Sequence, residues 1–108
     1  MARIEIMDST VVIDDQQIAL PESVEETVRL DSTLVVLLDT IGNKNLPNNV
    51  WAIDENEGIT WKIETVRSDD PFTGLWVDDG ELWVYNWNGY GYKIDEQTGT
   101  IVDKKYMK

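Results

Sequence analysis

Hydrophobic and polar positions alternate with a period of two along most of this chain, the spacing of a strand that buries one face. Ile4 and Ile6 alternate with Arg3 and Glu5, and Asp8-Ser9 offers a turn into Thr10-Val11-Val12-Ile13. Asp14-Asp15 turns the chain again into Gln17-Ile18-Ala19-Leu20, which Pro21 ends. The stretch 22–30 admits two readings. Glu22-Ser23 after Pro21, followed by Glu25-Glu26, suits a short helix start near residues 22–28. Val28 and Leu30, however, alternate directly into Asp31-Ser32 and the β-prone run Thr33-Leu34-Val35-Val36-Leu37-Leu38, which favours a strand. Residues 40–49, with Gly42, Pro47 and four Asn, read as a surface loop.

In the second half the turns set the register. Asn88-Gly89 is a strong hairpin signal. A two-residue turn there sets Trp87 opposite Tyr90, Tyr85 opposite Tyr92 and Trp83 opposite Ile94, all on one face. Asp79-Gly80 sets Trp76 opposite Trp83 on that same face. The other face carries Leu75, Val77, Leu82 and Val84, then turns polar at Asn86 and Lys93. A sheet apolar on both sides at one end is expected to be a central layer.

A pattern also repeats. Trp51-Ala52-Ile53-Asp54-Glu55-Asn56-Glu57-Gly58 and Tyr92-Lys93-Ile94-Asp95-Glu96-Gln97-Thr98-Gly99 both run aromatic, any residue, Ile-Asp-Glu, two residues, Gly, at a spacing of 41. If 54–58 and 95–99 are five-residue loops, Trp51 opposes Trp61, Ile53 opposes Ile59, Tyr92 opposes Val102 and Ile94 opposes Thr100. Each repeat then becomes a four-strand meander, one over 24–30, 33–39, 49–54 and 59–65, the other over 74–78, 81–87, 90–95 and 100–106. These residues resemble blades of a β-propeller, particularly the quinoprotein (pyrroloquinoline-quinone-type) repeat, over about residues 28–66 and 74–106. That resemblance implies meander geometry alone. Two units do not close a propeller, which typically has four to eight blades, and the quinone- and metal-binding residues of those enzymes have no counterpart here. The expectation is therefore a single all-β domain over residues 1–108. It consists of antiparallel meanders of blade-like four-stranded sheets, packed as a small sandwich or an open barrel, with Trp51, Trp61, Trp76 and Trp83 between sheets favouring the sandwich.

Composition narrows the chemistry. There is no Cys and no His, which excludes disulfides, thiol nucleophiles, the usual zinc sites and any Ser-His or Cys-His pair. The net charge of −12 disfavours nucleic acid and anionic membranes as partners and permits a basic protein or bound cations, or serves solubility alone. No apolar run approaches membrane-spanning length, so a cytoplasmic protein is expected. No motif places a catalytic residue or a cofactor, and the chain is read as non-catalytic. The alternative is a divalent-cation-binding or structural domain. Asp54, Asn56 and Glu57 gather oxygens in the 54–58 turn, a set that Asp69-Asp70 and Asp78-Asp79 could join in space although spacing alone does not show it. That turn lacks the Gly and Glu spacing of a calcium loop and reads as a solvated hairpin, so no metal site is assigned. The best recognition candidates lie in the aromatic row, and Trp87, Tyr90, Tyr85 and Tyr92 are its assigned binding residues. Trp87 and Tyr90, beside the turn, are expected to be partly exposed, with Trp76 and Trp83 buried.

Overall fold

The structure is a computed structural model that describes residues 3–30, 32–39, 48–64 and 71–106. Among the described residues three antiparallel sheets hold eleven strands, and no helix occurs. The first sheet contains β1 (Ile4–Met7), β2 (Thr10–Ile13) and β3 (Gln16–Ala19). The second runs β4 (Val24–Leu30), β5 (Thr33–Leu38), β6 (Val50–Asp54) and β7 (Gly58–Lys62), each strand beside the next. The third repeats that order with β8 (Phe72–Asp78), β9 (Glu81–Asn86), β10 (Tyr90–Ile94) and β11 (Ile101–Tyr106). The strand reading of 22–30 thus holds from Val24 onward. The loop expected at 40–49 and the pair Asp69-Asp70 fall mainly outside the described residues.

Turn chemistry explains the connections. Asp8, Asp14 and Asp79 adopt φ of 55°, 54° and 53°, the left-handed region that Asp tolerates better than most side chains. Each opens a two-residue hairpin loop, closing Met7 on Thr10, Ile13 on Gln16 and Asp78 on Glu81. The expected pairing of Trp76 with Trp83 follows from the last of these.

The sheets stack in three layers with two apolar interfaces. Val11, Ile13, Ile18 and Leu20 of the first sheet bury against Leu34, Val36, Leu38, Trp51 and Ile53 of the second. The opposite side of the second sheet, with Val35, Leu37, Val50, Ala52, Trp61 and Ile63, buries against Phe72, Leu82, Val84, Tyr92 and Ile94 of the third. The central layer is therefore the first meander. The aromatic third sheet, expected at the centre, is an outer layer, and Trp76 and Trp83 stack on its outward face with ring centroids 6.2 Å apart. Trp83 is covered there by its neighbours and is 8% exposed, but Trp76 is only half-buried, contrary to expectation.

Bulges account for two register corrections. In β7 the pairing shifts at Thr60, so Ile59 meets Ile53 as expected while Trp61 pairs with Ala52 and Lys62 with Trp51. The extra residue turns Trp61 to the face opposite Trp51, which places the two indoles in different interfaces. A bulge at Val102 does the same in β11: Tyr92 meets Lys104 rather than Val102, and Ile94 meets Ile101 rather than Thr100.

Candidate functional site

The largest correction concerns the Asn88-Gly89 turn, and it decides which aromatics share a face. Three residues, Trp87, Asn88 and Gly89, separate β9 from β10, rather than two. Gly89 takes φ of 95° and donates its N–H to the Asn86 carbonyl at 3.0 Å, the geometry of a three-residue hairpin loop closed by a left-handed glycine. Side chains select this form. The Asn86 Oδ1 accepts from the Asn88 N–H at 3.0 Å, and the Asn88 Oδ1 accepts from the Tyr90 N–H at 2.9 Å. Pairing slips by one residue, so Tyr85 meets Gly91, Val84 meets Tyr92, Trp83 meets Lys93 and Leu82 meets Ile94. A one-residue slip sends every side chain of β10 to the other face. Lys93 therefore joins Trp83 on the outward face, where it pairs with Glu81, and the single-faced aromatic row does not form.

The four assigned binding residues separate accordingly. Tyr92 is buried in the interface with the central sheet, its ring edge-on to Phe72, and its hydroxyl accepts from the Asn88 Nδ2 at 2.9 Å. Tyr90 is half-buried between Tyr92 and Tyr106, beneath the Lys104 ammonium. Tyr85 is half-buried on the outward face. Trp87 stands apart: it is 71% exposed, the most exposed large apolar side chain among the described residues. Its backbone is nonetheless fixed, because its N–H donates to the Pro71 carbonyl at 3.0 Å and the Asn86-Asn88-Tyr92 hydrogen bonds hold the turn.

Trp87 forms one wall of a cleft of about 270 Å³, lined also by Glu25, Leu37, Leu38, Asp39, Phe72 and Thr73. The cleft lies where the second and third sheets part. Asn49, fully buried, holds them together at its base: its Nδ2 donates to the carbonyls of Leu38 and Phe72 at 2.9 and 2.8 Å, and its Oδ1 accepts from the Phe72 N–H at 2.8 Å. With its donor and acceptor sides both used, this amide adds no unsatisfied polar group to the core. Two bulges feed the same cleft. Glu25 is the extra residue where β4 passes from pairing Val24 with Leu38 to pairing Glu26 with Leu37. Thr73 is the extra residue between Phe72 and Gly74 on β8. Asp39 follows the end of β5 and is fixed by its N–H donating to the Ser23 carbonyl at 2.8 Å.

The expected exposure of Trp87 is borne out, whereas Glu25, Asp39 and Thr73, which line the cleft beside it, were not singled out by the sequence. One signal was present: Phe72 and Leu75 contact the same core yet differ in parity, which a regular strand forbids. Val24, Val28 and Leu30 share a parity and conceal the bulge at Glu25, although Val24 contacts one interface and Val28 and Leu30 the other.

The acidic turns serve the fold. The Asp54 Oδ2 accepts from the N–H groups of Asn56 and Glu57 at 2.8 and 3.1 Å, and its Oδ1 accepts from the Ser32 hydroxyl at 3.2 Å. The Asn56 hydrogen bond leads the effects that hold the Asp54 carboxyl below its ordinary value, with those from Glu57 and Ser32 acting in the same direction. Asp95 closes the second turn by accepting from the Gln97 N–H at 2.8 Å through its side chain and from the Gly99 N–H at 2.8 Å through its carbonyl. Among the described residues no three His, Cys, Asp or Glu lie together as a metal-holding group, and no helix is long and apolar enough to cross a membrane.

Comparison with known proteins places the chain. Residues 1–106 match the family model of a domain of unknown function, DUF7957, and the chain belongs to that family. No curated protein matches it. Among solved structures it is similar to the crystal structure of the computationally designed Ika8 protein, with a TM-score of 0.62 and 13% identity over 97% of this chain. The match spans 36% of the designed chain, so the likeness concerns the fold alone.

Proposed function

We propose that this DUF7957 member is a non-catalytic, acidic β-domain that binds a protein partner, a basic one, through Trp87 and the cleft beside it. The observation that carries the reading is the combination at Trp87: an indole 71% exposed on a backbone tied down by neighbouring hydrogen bonds. An exposed Trp adds little to the stability of its own fold, whereas an aromatic on a fixed backbone beside a cleft is the kind of anchor that dominates interface energetics. The net charge of −12 supports a basic partner by speeding encounter and making it salt-sensitive, without supplying most of the affinity. Tyr85, Tyr90 and Tyr92 are not part of this surface. Tyr92 and Tyr90 support the turn from below, and Tyr85 faces away from the cleft.

The test compares the immobilised wild-type chain with Trp87→Ala and Tyr85→Ala at physiological salt. Proteins retained by the wild type and by Tyr85→Ala but lost from Trp87→Ala, with all three chains melting alike, are the expected result. Identical retention by the wild type and Trp87→Ala would refute the reading.

A further inference from the structure

We propose that the cleft beside Trp87 receives a single arginine side chain of the partner, an inference that rests on the partner-binding reading above and specifies it. Two bulges on two different sheets bring Glu25 and Thr73 to one cleft. Bulges re-aim side chains and are over-represented beside functional sites. The volume of about 270 Å³ falls below the roughly 300–1,000 Å³ of common small-molecule pockets, which suits one long side chain better than a cofactor.

The lining assigns the chemistry. The exposed Trp87 side chain gives the accessible apolar wall for a methylene stem over a base closed by the buried Leu38 and Phe72, while Glu25 brings a carboxylate to the same cleft. The exposed Trp87 indole offers a face on which a cation can lie. Arginine meets all three demands at once. Its planar guanidinium stacks on an indole, and its fork of donors reaches carboxylate and hydroxyl oxygens without changing charge state. Lysine supplies the charge but neither the stacking plane nor the fork.

The probe is capped arginine (N-acetyl-arginine amide), compared with capped citrulline, which keeps the shape without the charge, and with capped lysine. Binding is read from the Trp87 indole N–H signal in nuclear magnetic resonance, identified by its loss in Trp87→Phe. The expected result is a saturable shift with arginine, at least fivefold weaker binding of citrulline and lysine, and an arginine affinity reduced about two- to fivefold in Glu25→Gln. Equal binding of citrulline, no saturable shift, or indifference to Glu25→Gln would overturn the assignment. The two readings fail separately. Partner capture that depends on Trp87 without any response to capped arginine would remove arginine and leave the partner. A response to arginine with capture undiminished in Trp87→Ala would leave the arginine site and remove the partner reading.

Discussion

The two four-stranded meanders share one ladder and differ in what their second face meets. Leu34 and Val36 pair with Ile53 and Trp51 in the central sheet as Leu82 and Val84 pair with Ile94 and Tyr92 in the outer one. Both sets turn toward the preceding sheet. Bulges recur at matching places too, at Glu25 and Thr73 on the first strands and at Thr60 and Val102 on the last. On the opposite face the correspondence is of position alone. Val35, Ala52, Trp61 and Ile63 of the central sheet occupy the places of Trp83, Lys93, Asp103 and Lys105 in the outer one. There Lys93 pairs with Glu81, and the Lys105 ammonium lies 4.7 Å from the Trp83 ring. The comparison teaches that the backbone pattern builds a stackable layer and the outward residues decide whether stacking continues. Charges at three of those four places, with Glu81 beside them, oppose further stacking, as in the terminal repeats of stacked architectures.

The sharpest test sets one Trp against another. Trp61 lies between two sheets and donates its Nε1–H to the Glu96 carbonyl at 2.9 Å, so Trp61→Ala is expected to cost about 3–5 kcal/mol in urea unfolding. Trp83→Ala, on the outward face, is expected to lie nearer the about 1.5–3 kcal/mol of simple burial. Equal losses would break the distinction between inner and outer layers.

The repeated glycines come next. Gly58 and Gly99 hold φ of 83° and 77°, so alanine at either carries the left-handed penalty of about 1–2 kcal/mol. A Cβ at Gly58 meets nothing within 4 Å, whereas one at Gly99 would lie 2.5 Å from Cε3 of Trp61. Gly99→Ala is therefore expected to exceed Gly58→Ala by about 1–3 kcal/mol of overpacking, checked by the same unfolding curves. Equal costs would mean that Trp61 yields without loss.

A smaller difference separates the turn aspartates. The Asp54 side chain engages three donors, that of Asp95 one backbone N–H, so Asp54→Ala should lower Tm at neutral pH more than Asp95→Ala. Because folding holds the Asp54 carboxyl below its ordinary value of 3.8, its contribution is complete above that value and disappears as pH falls through the folded one. The Tm gap between wild type and Asp54→Ala should be full at pH 6 to 7 and close as the pH falls below 3.8 and through the lowered folded value. A gap that persists in acid would assign the effect to something other than the charge. Smallest of all, Trp87→Ala should change stability by no more than about 0.5 kcal/mol, since its side chain is largely exposed.

The parts of the fold that local chemistry controls were legible. Asp79-Gly80, Asp8-Ser9 and Asp14-Asp15 demand tight turns wherever they stand, so the strands beside them and the Trp76–Trp83 pairing followed from residue type. Asn88-Gly89 misled because the signal for a two-residue turn is the same dipeptide that closes a three-residue one. The choice came from Asn86 and Asn88 side chains bonding to nearby backbone. That single residue of slip moved Tyr92 into the core and Lys93 out of it, and with them the aromatic row.

The sequence by itself determined the all-β class, the two meanders and the exposure of Trp87 beside its turn, because period-two alternation and turn residues act over a few neighbours. Only the tertiary structure decided which meander is central, which face each Trp serves and that Glu25 and Thr73 meet at one cleft. Those outcomes depend on bulges and on sheet against sheet. A bulge changes facing without changing composition, and no local pattern records which surface another sheet will cover.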